Sequence, residues 1–314
     1  MSWFKKLFGK SEGNGDAAQT ESGEPKVDTP ASQDYKILWP EPEPKVDFSK
    51  PFPVDPAKID EALKAFSFEI IETTGENGLE TWQKLRAEHA GNSTPFILGG
   101  PENLIDWADD LEDAFGLSAE DAIKASKTGR NIAEFLSARN AEHAAMHADP
   151  KMAEFLANAP PPTDYTLDDI IQDILERWDK TAPAAETDPL TSLTHGVLSG
   201  LPHERLFIAL LPTPHSYESP AYLRMGGWNE MPGSDWLCAA FRDWDSRYGV
   251  TIIGGHRDYL ECYVDNPPRT KKDAARLGAE QFVACEDFVL QGTDDPTLLA
   301  ASLVKAGMWG FWWD

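Results

Sequence analysis

Six of the eleven tryptophans in this 314-residue chain lie between Trp228 and the C-terminus, and three of them, Trp309, Trp312 and Trp313, crowd its end. Aromatic side chains each carry roughly 150–250 Å² of surface that favours burial, so such a density demands a packed module rather than a loose tail. The end itself, Phe311-Trp312-Trp313-Asp314, is predicted to be a buried strand. In a strand, Trp312 and Trp313 point to opposite faces, so at least one of them must be core.

The spacing upstream supplies the rest of that module. Leu206–Leu211 is a continuous apolar run of strand length, and Ala221–Met225 is predicted as a second strand whose start Pro220 fixes. Leu237, Phe241, Trp244 and Tyr248 share one face of a helix over Asp235–Tyr248, and Gly249 provides a left-handed stop. Val250–Ile253 and Tyr259–Val264 form two strands across a turn-rich loop. Thr270 with Asp273 caps a helix running to about Leu290, which carries Gln281 and Cys285. Asp295-Pro296 opens another helix to Ala306, and Gly307 releases the chain into a final strand, Met308–Trp313.

Before this module the pattern alternates. A short helix over Ile59–Ala65 is followed by a strand at Phe66–Ile71, a helix at Leu79–Ala90 and a buried strand at Pro95–Leu98 closed by Gly99-Gly100. Helices are then expected over Pro101–Phe115, Ser118–Lys127, Asn131–His147 and Leu167–Lys180, with proline breaks at Pro150 and at 160–162 and a linker over 181–189. The fold class expected is therefore α+β. A disordered tail (1–57) precedes an N-terminal α/β and helical region (58–182) and a C-terminal mixed α/β module ending in a strand (190–314).

The tail, rich in Gly, Ser, Pro, Glu and Asp, cannot bury enough apolar surface to offset its ordering entropy. Its first residues differ. Trp3, Phe4, Leu7 and Phe8 can share one side of a short helix opposite Lys5, Lys6 and Lys10, the pattern of a weak membrane-surface contact. Neither a signal-peptide core nor a membrane-spanning run is evident, so cytoplasmic residence, with a peripheral position at the inner membrane surface as the variant, is expected.

Charge narrows the partners. The chain carries 28 basic and 53 acidic residues, a net of −25; the first 57 residues, with 7 lysines and 10 acids, hold only −3 of it, which leaves −22 to the rest. A phosphate backbone is repelled by such a field, so nucleic acid is not an expected partner. A basic protein would be drawn to it. Cys238, Cys262 and Cys285 are odd in number and widely spaced, which predicts buried reduced thiols rather than disulfides or a zinc site.

Several short motifs follow one another through the C-terminal third: Pro220-Ala221-Tyr222-Leu223, Gly226-Gly227-Trp228-Asn229 with Pro232, Arg242-Asp243-Trp244, Arg247-Tyr248-Gly249, Pro267-Pro268, Ala279-Glu280-Gln281-Phe282, Cys285, Gln291-Gly292 and the terminal Phe-Trp-Trp-Asp. Over roughly Leu206–Asp314 this series resembles the bacterial domain of unknown function 4253 family. The resemblance implies an α+β bacterial domain. It brings no established reaction and no catalytic residues.

The residues themselves offer candidates. Gly226, Gly227, Trp228 and Asn229 form a turn in which Asn229 can bond the local backbone or a ligand, and His256 and Arg257 lie in a loop nearby in the predicted topology. His195, His203, His215 and His256 all sit in loops around the C-terminal strands, where a general base is easily placed. His143 and His147 lie four apart on a helix, but Ala144 follows the first where a zinc peptidase needs Glu. Cys285 has Glu286 and Asp287 beside it, which oppose thiolate formation. Acids such as Asp243, Asp245, Asp258 and Glu261 lie near tryptophans in the manner of a sugar cleft, with Arg242, Arg247 and Arg257 equally near to neutralise them. Dinucleotide fingerprint, phosphate loop and serine-elbow motifs are absent, and no cofactor is expected.

These features favour a non-enzymatic interaction protein that binds an unknown protein partner, a basic one on the charge argument, in its sharpest form an immunity-type neutraliser. The alternatives are a hydrolase acting near the Gly226–Asn229 turn with histidines or acids around it, favoured if those groups converge in one pocket, and a membrane-surface adaptor acting through Trp3–Phe8.

Overall fold

A computed structural model describes residues 53–113, 116–152, 164–178, 192–196, 199–227, 231–293 and 295–314. The expected tail up to 52, the Trp3–Phe8 segment, the proline break at 160–162, the 181–189 linker, and Trp228 and Asn229 lie outside these residues. The described residues belong to one compact unit.

The fold is α+β, built on a six-stranded mixed sheet. In chain order its elements are α1 (Pro56–Ala65), β1 (Glu69–Thr73), α2 (Gly78–Glu88), β2 (Thr94–Gly99), α3 (Pro101–Asp113), α4 (Ala119–Ser126), α5 (Ile132–Ala148) and α6 (Leu167–Arg177). After these come β3 (Leu206–Leu211), α7 (Ser219–Tyr222), α8 (Ser234–Tyr248), β4 (Val250–His256), β5 (Tyr259–Val264), α9 (Lys271–Ala284), α10 (Pro296–Ser302) and β6 (Met308–Trp312). Side-chain caps act where the sequence places them: Ser118, Asn131, Thr166, Thr270 and Asp295 each accept a hydrogen bond from a backbone N–H of the first turn.

The strand order is β1-β3-β2-β4-β5-β6. β3 pairs antiparallel with both β1 and β2, β2 joins β4 in parallel through Ile97 and Gly254, and β4, β5 and β6 form an antiparallel series. β2 thus separates β3 from β4. At the β2–β4 junction a Cβ on Gly254 would stand 2.4 Å from the Ile97 carbonyl oxygen, so only glycine permits that approach.

One sheet face packs Trp82 and Leu85 of α2 and Leu193 onto Ile97, Leu206, Ile208, Leu210 and Ile253. The other face holds the aromatic core. Trp244 stacks on Phe311, with centroids 5.5 Å apart, and meets Phe241 and Trp309 edge-on. Trp313 is fully buried and donates its indole N–H to the Ala284 carbonyl at 2.9 Å, while Trp312 lies half-buried. The C-terminal end is therefore a keystone of this core.

Three local expectations need correction. Ala221–Met225 is not a strand. Ser219–Tyr222 forms a helical turn, with Pro220 at a position where its missing N–H costs nothing, and Met225 N–H closes it by donating to the Pro220 carbonyl. The helix expected to reach Leu290 ends at Ala284, and Phe288–Thr293 forms a wider π-type turn. Cys285 is consequently a helix cap rather than a mid-helix residue. It is buried, donates to the Trp312 carbonyl at 2.9 Å, and burial pushes its thiol up to about 12. The helix begun by Pro296 likewise stops at Ser302, short of Ala306.

A histidine cavity at one end of the sheet

Strand direction determines which chain segments meet. Because β2 and β4 are parallel, their carboxyl ends emerge side by side, and the antiparallel neighbours bring the start of β3, the end of β1 and the start of β5 to that same end. Ligand sites favour this location in sheets with parallel strands, because the chain must diverge there and leaves a crevice. Here the crevice is a cavity of about 720 Å³ lined by Gly100, Pro101, Glu102 and Asn103 from the β2–α3 turn, His195, Gly196 and Ser199, Pro202 through Arg205, His256, and an apolar wall including Val54, Ile59 and Leu201.

Three of the four loop histidines converge in it. His195 and His203 belong to a segment folded back on itself: His195 bridges to Pro202, Gly196 N–H donates to the Leu201 carbonyl, and His203 N–H donates to the Thr194 carbonyl. Gly75, just after β1, clamps this segment from outside by donating to the His203 carbonyl at 2.7 Å. The His203 ring lies directly on the β2–α3 turn, so that a Cβ on Gly100 would stand 2.5 Å from its Nδ1. Gly100 N–H is meanwhile held by the Asn103 side-chain oxygen at 3.1 Å.

His256 enters at the end of β4. Both its ring nitrogens are shielded from solvent and make no hydrogen bond among the described residues. Burial, reinforced by nearby His203, lowers its pKa to about 4. The His203 pKa is also depressed, first by burial and then by His195. Both imidazoles are therefore uncharged at neutral pH.

Behind the cavity Glu261 of β5 is buried to 1% exposure. Its Oε1 accepts hydrogen bonds from Ser192 N–H at 2.9 Å, Ser192 Oγ at 2.7 Å and Tyr259 Oη at 2.8 Å. Burial is the main cause of its raised pKa. Ser192 opens the segment that carries His195 and His203, so this one carboxyl group ties that segment to the strand facing His256.

The two arginines nearest the histidines in sequence are already engaged. Arg205 is the only arginine or lysine among the described lining residues, and it makes a two-pronged contact with Glu72 at 2.7 and 2.8 Å. Arg257, one of the residues singled out beside His256, points instead to Asp110 at 3.2 Å.

The remaining candidates lie elsewhere. Gly226 and Gly227 both adopt positive φ, 86° and 82°, and a Cβ on Gly226 would meet the Pro232 carbonyl oxygen at 1.9 Å; these two glycines close a turn and do not line the histidine cavity. His215 lies at the opposite end of the sheet. His143 is exposed on α5, and no group of three or more His, Cys, Asp or Glu among the described residues is arranged to hold a metal ion.

The sequence alone did not single out Gly100, Asn103, Ser192, Ser199 or Tyr259. The usable signal was the run Gly99-Gly100-Pro101 between a buried strand and a helix, which marks a strand-to-helix turn at a strand's carboxyl end.

The fold defines an α+β protein with a histidine cavity at the edge of a parallel strand pair. Residues 207–314 match the family described as Domain of unknown function (DUF4253), in agreement with the resemblance in the C-terminal third. No curated protein and no solved structure matches the chain. The matched region supplies His256, Tyr259 and Glu261, whereas Gly100, His195 and His203 come from outside it.

Proposed function

We propose that the protein binds a small uncharged or cationic organic molecule in the histidine cavity and hydrolyses it by general-base catalysis. The observation that carries this reading is the convergence of His195, His203 and His256 on one cavity, with both His256 ring nitrogens shielded and unpartnered among the described residues. Convergence of the loop histidines, with two of them uncharged, is what separates the hydrolase reading from a purely structural one. Gly226 and Gly227, at the start of the turn that the sequence suggests, do not line the cavity.

The cavity's electrostatics select the ligand class. An anion finds no free arginine or lysine among the described lining residues: Arg205 is engaged by Glu72, His203 and His256 are uncharged, and Glu102 and Glu204 add acidic groups. A neutral ester or amide suits both the apolar wall and the imidazole floor. A neutral imidazole takes a proton from water as the oxygen adds to the carbonyl carbon, then returns it to the departing alcohol or amine. The test is a panel of neutral esters and amides assayed with the full chain and with His203→Gln and His256→Gln variants of unchanged melting temperature. Turnover that falls roughly 10²–10⁴-fold in either variant supports the reading, as expected for loss of a general base. Turnover absent from the wild type, or equal in all three, overturns it.

Net charge motivates a second reading. An overall −25 favours fast capture of a basic protein, including neutralisation of an immunity type. Recovery of one basic protein that is released by salt, from a pull-down with the tag placed near Ser22, supports that reading; recovery of the protein alone counts against it. Weak membrane-surface contact through Trp3, Phe4, Lys5, Lys6, Leu7 and Phe8 is a further proposal, lost if deletion of these residues leaves localisation unchanged. No helix among the described residues is long and apolar enough to cross a membrane.

A further inference from the structure

The same strands that open the histidine cavity at one end form a second, smaller cleft at the other. The start of β2 (Ser93, Thr94, Pro95), the loop after β3 (Pro214, His215, Ser216) and the start of β4 (Val250, Thr251) line it, with Trp82 and Arg86 of α2 on one side and Asp245 of α8 on the other. Its volume is about 280 Å³, below the roughly 300–1,000 Å³ of pockets that hold drug-sized ligands. A molecule of a few heavy atoms fits it, and a nucleotide does not.

Two opposite charges in this cleft lack ionic partners among the described residues. Arg86 lies 5.4 Å over the Trp82 ring and donates one hydrogen bond, at 3.1 Å, to the Thr251 hydroxyl; it makes no ion pair among the described residues. Asp245 makes no ion pair with a described residue either, although Arg86 and His215 are both near enough to act on its carboxyl. Burial is the stronger influence and, with Asp265, leaves the Asp245 pKa raised. Such an arrangement is unusual in a protein with so many ion pairs elsewhere, because a partly desolvated carboxylate is normally neutralised by the nearest cation.

The walls of the cleft are fixed. His215 is stacked on Tyr217 with centroids 4.8 Å apart and planes 12° from parallel. Ser216 Oγ accepts the Ile252 N–H at 3.2 Å, and Thr94 Oγ1 donates to the Thr213 carbonyl at 2.8 Å. Asp245 belongs to the last turn of α8, where the free carbonyls add negative potential and favour a cation. Arg86, two residues before the end of α2, supplies the positive counterpart.

We propose that this cleft binds a small zwitterion of the amino-acid class, its carboxylate on Arg86 and its ammonium on Asp245. The opposed charges line one cleft without forming an ion pair with each other, which is the requirement for a ligand that carries both signs. His215 borders the gap and supplies a further polar contact. The site is separate from the histidine cavity and does not depend on the hydrolase reading.

The test is calorimetric titration of the full chain with glycine, L-alanine and L-leucine, and separately with methylamine and with acetate, each of which carries one of the two charges. Saturable binding of at least one amino acid is expected, with both single-charge probes roughly tenfold or more weaker. Arg86→Gln and Asp245→Asn should each weaken the amino acid by a similar factor, while His203→Gln leaves binding unchanged. Arg86 is exposed, and a melting curve for each variant verifies that the fold is intact. No saturable binding of any of the three amino acids overturns the proposal. So does binding that both variants leave intact, or acetate binding as tight as that of the amino acid.

Discussion

His256 and Tyr259 face each other across the β4–β5 turn, their rings 6.1 Å apart and 28° from parallel. The tyrosine hydroxyl reaches past the histidine to Glu261, while the histidine nitrogens stay unpartnered among the described residues. Packing alone would be better served by an apolar residue at position 256, since a buried imidazole without a hydrogen bond carries an uncompensated desolvation cost.

That cost has a measurable pH signature. The His256 pKa is about 4 in the folded chain against an ordinary 6.5, so the unfolded state binds the extra proton between these values. Stability must therefore be lost as pH falls from about 6.5 toward 4, by about 3 kcal/mol in full from this group. In denaturant titrations across this window the stability of the wild type relative to His256→Gln is expected to fall by about 3 kcal/mol as pH falls, because the variant lacks the penalty. Parallel curves contradict the buried, uncharged imidazole.

Glu261 is expected to work as an acceptor rather than through its charge. Glu261→Gln keeps an oxygen in place for Ser192 and Tyr259 and should change stability by less than about 1 kcal/mol, whereas Glu261→Ala abandons three donors and should cost about 2–4 kcal/mol. Chemical denaturation measures both. An equally large loss in the Gln variant would show that the carboxylate charge matters.

The C-terminal end should tolerate no trimming. Trp313→Ala removes a fully buried indole and its bond to the Ala284 carbonyl, an expected loss of about 3–5 kcal/mol. Removal of Phe311–Asp314 should be more damaging still. Thermal melting detects both, and an unshifted truncate refutes the keystone role.

Residues 190–314 should not fold alone. β3 has its two hydrogen-bonding neighbours in β1 and β2, and β2 alone joins it to β4, so the isolated segment loses the centre of its sheet. Amide dispersion in a two-dimensional NMR spectrum of that fragment decides the matter: a collapsed, poorly dispersed spectrum is expected, and a well-dispersed one contradicts it.

The helices and most strands were legible in the sequence because caps and periodicity act locally. Thr270 with Asp273, Asp295 with Pro296, and Gly249 with its φ of 66° all perform the role their residue types suggest. The misreadings arose where tertiary contacts decide. Pro220 was compatible with either a strand start or a first helical turn, and packing selected the turn. The helix carrying Gln281 stops early because Cys285 turns inward to the Trp312 carbonyl, a contact 27 residues away that no local pattern encodes. The cavity was half visible. His195, His203 and His256 were candidates as loop histidines, but their meeting depends on β2 lying parallel to β4, and strand order is not contained in any one segment. Gly226-Gly227 drew attention by composition, yet the positive φ and the close Pro232 carbonyl explain both glycines as turn residues.

The most direct test follows the histidine ring resonances while neutral ester and amide fragments are titrated into the full chain. His215, at the far end of the sheet, is an internal control. The account predicts that the signals of His195, His203 and His256 shift together and saturate with one midpoint while His215 stays still. Shifts confined to His215, or none at any histidine across the panel, would contradict the assignment of function to the histidine cavity.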